Sequence, residues 1–162
     1  AQGRQMFEKA VELDPEYAGA YAGLGLIYWT EWLQYGGQDQ TLAQAFALAQ
    51  KAVALDDSVP MSHAALGFVY LTRKQHDQAQ TEMERAITLN PNYATGYQGL
   101  SFVLQSSGKP EEAILAAKTA EGAEVQRINP NFSVERWKQR SSYKDQAVTE
   151  HWAAMLRKAG LK

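Results

Sequence analysis

The chain has 162 residues, of which 45% are hydrophobic, 21% are charged and none is cysteine. That content is enough for one packed domain or a short solenoid and argues against wholesale disorder. It leaves no disulfide, thiolate zinc site or cysteine nucleophile. A net charge of −2 does not mark a nucleic-acid binder, and no run reaches the length and apolarity of a membrane span.

Four segments repeat along the chain: KAVELDP ending at Pro15, KAVALDD at Asp57, RAITLNP at Pro91 and EVQRINP at Pro130. Their spacings are 42, 34 and 39 residues. The middle spacing is that of a helix–turn–helix repeat, and the others are that period with short additions. Helices are predicted near 5–13, 18–33, 41–55, 60–73, 77–89, 94–106, 110–127 and 145–159, with a short one from Ser133. The N-terminal helix reads as the second half of a repeat unit.

AYAGLGLIY (20–28), SHAALGFVY (62–70) and GYQGLSFVL (96–104) share one pattern: an aromatic or His, Leu three residues on, then Gly or Ser, then a large residue. That is the spacing of one helical face. Gly25, Gly67 and Ser101 are expected where paired helices approach most closely, with Ala45, Ala79 and Ala113 facing them. Pro15, Pro91 and Pro130 end the second helices. Gly108-Lys109-Pro110-Glu111-Glu112 ends one helix and starts another, with acids at the positive end of the new dipole. WLQYGGQDQ (32–40) lengthens the first turn.

These residues resemble the tetratricopeptide repeat family over about residues 1–130. LTRKQHDQA (71–79), RAITLNPNYATGY (85–97), SGKPEEAI (107–114) and NPNFSVERWKQRSSYKD…LRKAGLK (129–162) are similar to the repeat module at the C-terminal end of bacterial class III adenylate or guanylate cyclases. The resemblance implies an all-α fold: helical hairpins stacked in a right-handed superhelix, with C-terminal capping helices. It divides the chain into a repeat array (1–130; a partial first unit and about three helix pairs) and a basic capping segment (131–162). Residues 1–126 hold eight Lys and Arg against fifteen Asp and Glu, and residues 127–162 eight against three. Such modules usually carry further repeats before the closing segment, so the chain is either a short version or one with residues missing near Thr119–Gly122.

The resemblance implies a protein-interaction scaffold of a bacterial signalling protein. The expected location is cytoplasmic, and the partner a protein or peptide, with self-association as the alternative. The first helices would line a concave groove: Leu26, Trp29 and Thr30; Met61, Ala64, Phe68, Leu71 and Thr72; Thr95, Gln98, Phe102, Gln105 and Ser106. None is charged, which favours an apolar helix or extended segment. Phe68, Phe102 and Trp29 are the expected anchors. No catalytic residue, metal or cofactor is expected: His63 reads as a packing residue, His76 and His151 lack metal-spaced partners, and Gly23-Leu24-Gly25 lies mid-helix, away from any strand.

Overall fold

The computed structural model describes residues 2–128, 154 and 157. Seven helices follow in order: α1 (Gln2–Leu13), α2 (Ala18–Tyr35), α3 (Asp39–Leu55), α4 (Pro60–Thr72), α5 (His76–Leu89), α6 (Ala94–Ser106) and α7 (Pro110–Ile128). The described residues contain no strand. The first seven predicted helices are all present, with ends that differ by three residues or fewer. The predicted helices at 145–159 and from Ser133, and the capping segment 131–162, fall outside the described residues apart from Ala154 and Arg157. Helix α7 runs through Thr119–Gly122 without a break.

The chain divides into two compact units, residues 1–90 and 91–162. In the first unit α2 pairs with α3 and α4 with α5, α4 also packs on α2 and α3, and α1 packs on α2. In the second, α6 pairs with α7.

The turns explain why these helices stop where they do. Asp14 Oδ1 accepts the Glu16 N–H at 3.0 Å, and Asp56 Oδ1 accepts the Ser58 N–H at 2.9 Å and its hydroxyl at 2.6 Å. Each aspartate thus builds a local turn that competes with further helix. The Ser58 hydroxyl and then its N–H hold the Asp56 carboxyl below its ordinary value. Within hairpins, Gly108 (φ 75°) takes the left-handed position that closes α6, while the N–H of Lys109 returns to the Leu104 carbonyl at 2.9 Å. The α4–α5 turn makes the same bond from Gln75 N–H to the Tyr70 carbonyl at 2.9 Å. There the left-handed residue is Lys74 (φ 60°), which carries a Cβ that Gly108 does not.

Small residues let the paired helices approach. Ala45, Ala49 and Ala52 on α3, and Ala79, Met83 and Ala86 on α5, are all 0% exposed. A Cβ on Gly25 would lie 3.3 Å from the Ala45 carbonyl oxygen and from the Ala49 nitrogen, so α2 and α3 meet backbone to backbone. A Cβ on Gly67 would instead lie 2.9 Å from Met83 Cε. The expected close approach is therefore present at both glycines. On α5, however, Met83 is the nearest group rather than Ala79.

Candidate functional site

The first-helix face of the first unit gathers several of the predicted lining residues. Trp29 of α2 stacks on Phe68 of α4, ring centroids 4.4 Å apart and planes 24° from parallel. The indole N–H of Trp29 donates to Thr72 Oγ1 at 2.8 Å, and the Thr72 hydroxyl donates to the Phe68 carbonyl at 3.0 Å. One indole is thus fixed by a stacked ring below and a hydrogen bond at its edge, while part of its surface stays open. Leu71 is half-buried on the same helix as Thr72, and Thr30 is exposed beside Trp29.

Other residues of the expected groove serve the fold. Ala64 is 0% exposed and Phe68 is 5% exposed, so neither offers surface to a partner. Phe68 is not a free anchor, because its ring is spent on Trp29. Met61 packs on the cluster of Tyr21, Ala22 and Ala52, and Leu26 on that of Ala49, Ala65 and Leu66. A period of 3.6 assigns a residue to a helix face, but only the neighbouring helices decide how far each side of that face is covered.

In the second unit, Gln98 and Phe102 of α6, the latter 53% exposed, line a cleft of about 450 Å³ with Ser101. Its other wall is Ala117, Ala120, Glu121 and Glu124 of α7. The α6 residues of this cleft are uncharged, and α7 adds two carboxylates on the opposite wall. Thr95 is half-buried, and Gln105 and Ser106 are exposed. Thr95 hydrogen-bonds the Tyr93 side chain, and burial pushes the Tyr93 phenol above its ordinary value. The Ser106 hydroxyl donates back to the Phe102 carbonyl at 2.8 Å.

Sequence reasoning missed three polar contacts. His63 is 5% exposed; its Nδ1 lies 2.7 Å from Glu82 Oε2 and its Nε2 2.8 Å from the Asp57 carbonyl. It is a packing residue, as expected, but one that ties α4 to α5 and to the preceding turn. Both ring nitrogens face acceptors, so a singly protonated ring satisfies one and a doubly protonated ring both. Arg4 of α1 pairs with Glu31 at 2.7 Å and lies 4.3 Å over the Tyr28 ring. Lys51 donates to the Tyr21 hydroxyl at 2.8 Å. Only the His63 contact had a visible signal: His where the equivalent residues are Tyr21 and Tyr97.

Among the described residues no group of three or more His, Asp or Glu is placed to hold a metal, and no helix is long and apolar enough to cross a membrane.

A family model of the tetratricopeptide repeat matches residues 62–93. The small glutamine-rich tetratricopeptide repeat-containing protein 2 of Saccharomyces cerevisiae is 47% identical over 45 residues. That stretch is 28% of this chain and 13% of the yeast protein. Among solved structures, a thermophilic TPR protein of Thermus thermophilus superposes with TM-score 0.60 at 18% identity. The match covers 95% of this chain and 71% of that one. The MamA protein superposes with TM-score 0.53 at 25% identity, covering 80% of this chain and 67% of its own. Residues 62–93 thus match a tetratricopeptide repeat, and the described helices share the all-α helical-repeat fold of these structures.

Proposed function

We propose that the chain works as a binding scaffold, not as a catalyst, and that its first unit takes a helical or extended protein segment across Trp29, Thr30, Leu71 and Thr72. The observation that carries this reading is the indole held between Phe68 and Thr72. An aromatic group that is already ordered loses little freedom when a partner covers it, so its buried area is returned as affinity. The lining residues carry no charge, so binding rests on burial, and salt weakens it little. The resemblance to cyclase-terminal modules supports a place in a bacterial signalling protein, where such a scaffold would connect a regulatory partner to a separate catalytic region.

The test is selection of helical peptides from a displayed library on the intact chain, followed by titration of the selected peptides. Trp29→Ala is expected to weaken them about 30-fold, equivalent to about 2 kcal/mol, while circular dichroism stays unchanged. Raising salt should change the affinity less than threefold. Peptides that bind Trp29→Ala and Leu71→Ala as well as the native chain would place the site elsewhere, as would a strong salt dependence.

A further inference from the structure

Among the described helices, α1 and α3 both pack on α2 but not on each other. Between them a crevice of about 260 Å³ stays open. Leu24 and Tyr28 of α2, Gln44, Ala47 and Leu48 of α3, and Glu8 of α1 line it. The next repeat shows how the same place is closed. A shift of 42 residues sets Arg4, Glu8, Leu24 and Tyr28 on Phe46, Gln50, Leu66 and Tyr70, and a shift of 34 sets Leu48 on Glu82. There the Phe46 ring meets the Tyr70 ring edge-on at 5.7 Å, and Glu82 is drawn to His63 at 2.7 Å. In the first repeat Arg4 turns aside instead. Its Nη2 pairs with Glu31 at 2.7 Å, and its head lies 4.3 Å over the Tyr28 ring. Glu8 Oε1 is left 4.0 Å from Arg4 Nε, beyond hydrogen-bond distance. Arg4, Glu8 and Glu31 thus sum to one negative charge, and of the described lining residues only Glu8 is charged.

We propose that this crevice is a docking site for one lysine side chain of a partner protein. Its volume is below the roughly 300 Å³ at which small-molecule pockets begin, so it takes a single long side chain. Leu24, Ala47 and Leu48 offer the aliphatic stem an apolar lining. The Glu8 carboxylate meets the ammonium, and the Gln44 carbonyl and Tyr28 hydroxyl accept its other N–H groups. A compact, rotatable ammonium suits acceptors spread over three helices, whereas a guanidinium holds its donors in one plane. An acidic side chain is turned away by Glu8. The surroundings favour the same sign, since residues 1–90 carry six Lys and Arg against eleven Asp and Glu. The crevice shares no residue with the Trp29 face, so the two sites stand independently.

The experiment titrates the full chain, with isotope-labelled alanine and leucine methyl groups, with acetyl-glycyl-lysyl-glycine amide. The Ala47 and Leu48 methyl signals should move with a Kd on the order of 1–10 mM, as befits one side chain. A peptide with norleucine in place of lysine keeps the stem and drops the charge, and should bind about threefold more weakly or worse. Glu8→Gln should weaken the lysine peptide about as much, with helical circular dichroism unchanged because Arg4 keeps Glu31. Ala47→Leu, which grows from an exposed position into the mouth of the crevice, should abolish the shifts. Salt should weaken the lysine peptide and leave the norleucine peptide unaffected. Equal binding of the two peptides would overturn the proposal, as would native affinity in Glu8→Gln or Ala47→Leu, or signals that never move. So would signals that move with the concentration of the chain alone, since the occupant would then be a second copy. The Trp29 indole signal should stay still throughout, which keeps this result separate from the test of the proposed binding face.

Discussion

The hairpins α2–α3 and α4–α5 have the same repeat pattern and close in different ways. In the first, Gly25 brings backbone against the backbone of Ala45 and Ala49, and Lys51 caps the Tyr21 hydroxyl from the rim. In the second, Met83 fills the space over Gly67, and a buried His63 bonds Glu82. Growth at the position that approaches backbone requires α3 itself to give by a few tenths of an ångström, whereas the position that meets a flexible side chain can yield by moving it. One fold thus accommodates either a close-packed alanine seam or a wider seam filled by methionine and a polar contact.

The comparison breaks most sharply at Met83, a large side chain with no exposed surface. Met83→Ala should cost about 2–5 kcal/mol in a denaturant titration, because the cavity cannot collapse between two glycine- and alanine-lined helices. Gly25→Ala comes next, at about 1–3 kcal/mol, since carbonyl and amide atoms of α3 must shift. Gly67→Ala should cost clearly less: both changes gain roughly 1 kcal/mol of helix propensity, but here the nearest group to move is the end of the flexible Met83 side chain rather than backbone. Equal losses at the two glycines would show that the seams do not differ.

His63→Ala should cost about 1–3 kcal/mol by leaving the Asp57 carbonyl and the Glu82 carboxylate without their partner. His63→Tyr, which restores the residue of the first hairpin, tests whether shape or hydrogen bonding matters more. A native-like unfolding midpoint for His63→Ala would mean that water replaces the imidazole at no cost. The smallest effect is expected at the turn. Lys74→Gly should raise stability by about 0.5–1 kcal/mol, because relief of the left-handed Cβ clash outweighs the extra freedom of glycine in the unfolded chain. Hydrogen exchange at the Gln75 amide would report the same gain locally.

The sequence was legible where local chemistry and period agree. Pro15, Pro91, Gly108 and Pro110 mark ends that backbone geometry itself requires, so those helix boundaries followed without any knowledge of neighbours, whereas the turns built by Asp14 and Asp56 emerged only in the structure. The repeated Leu and the small residue that follows it fix which face turns inward, and the glycine approaches at Gly25 and Gly67 follow from that. The lining of the binding face was only half legible. Trp29, Thr72 and Phe68 were named together, but the role of Phe68 as a support rather than a contact depends on where α4 lies against α2. The Glu121 and Glu124 wall was missed for the same reason: the partner of α6 comes from a helix about 20 residues further on, and helical period says nothing about which residues of a second helix face the first.

What the sequence determined by itself is the set of helices, their punctuation and the repeat register. Each rests on interactions within a few residues, which local spacing records completely. Only the tertiary structure decided that Arg4 turns to Glu31 while its equivalent Phe46 packs on Tyr70. It also decided the spending of Phe68 on Trp29 and the meeting of His63 with Glu82. These depend on the presence and distance of a second helix, and burial is a property of the pair rather than of either sequence alone.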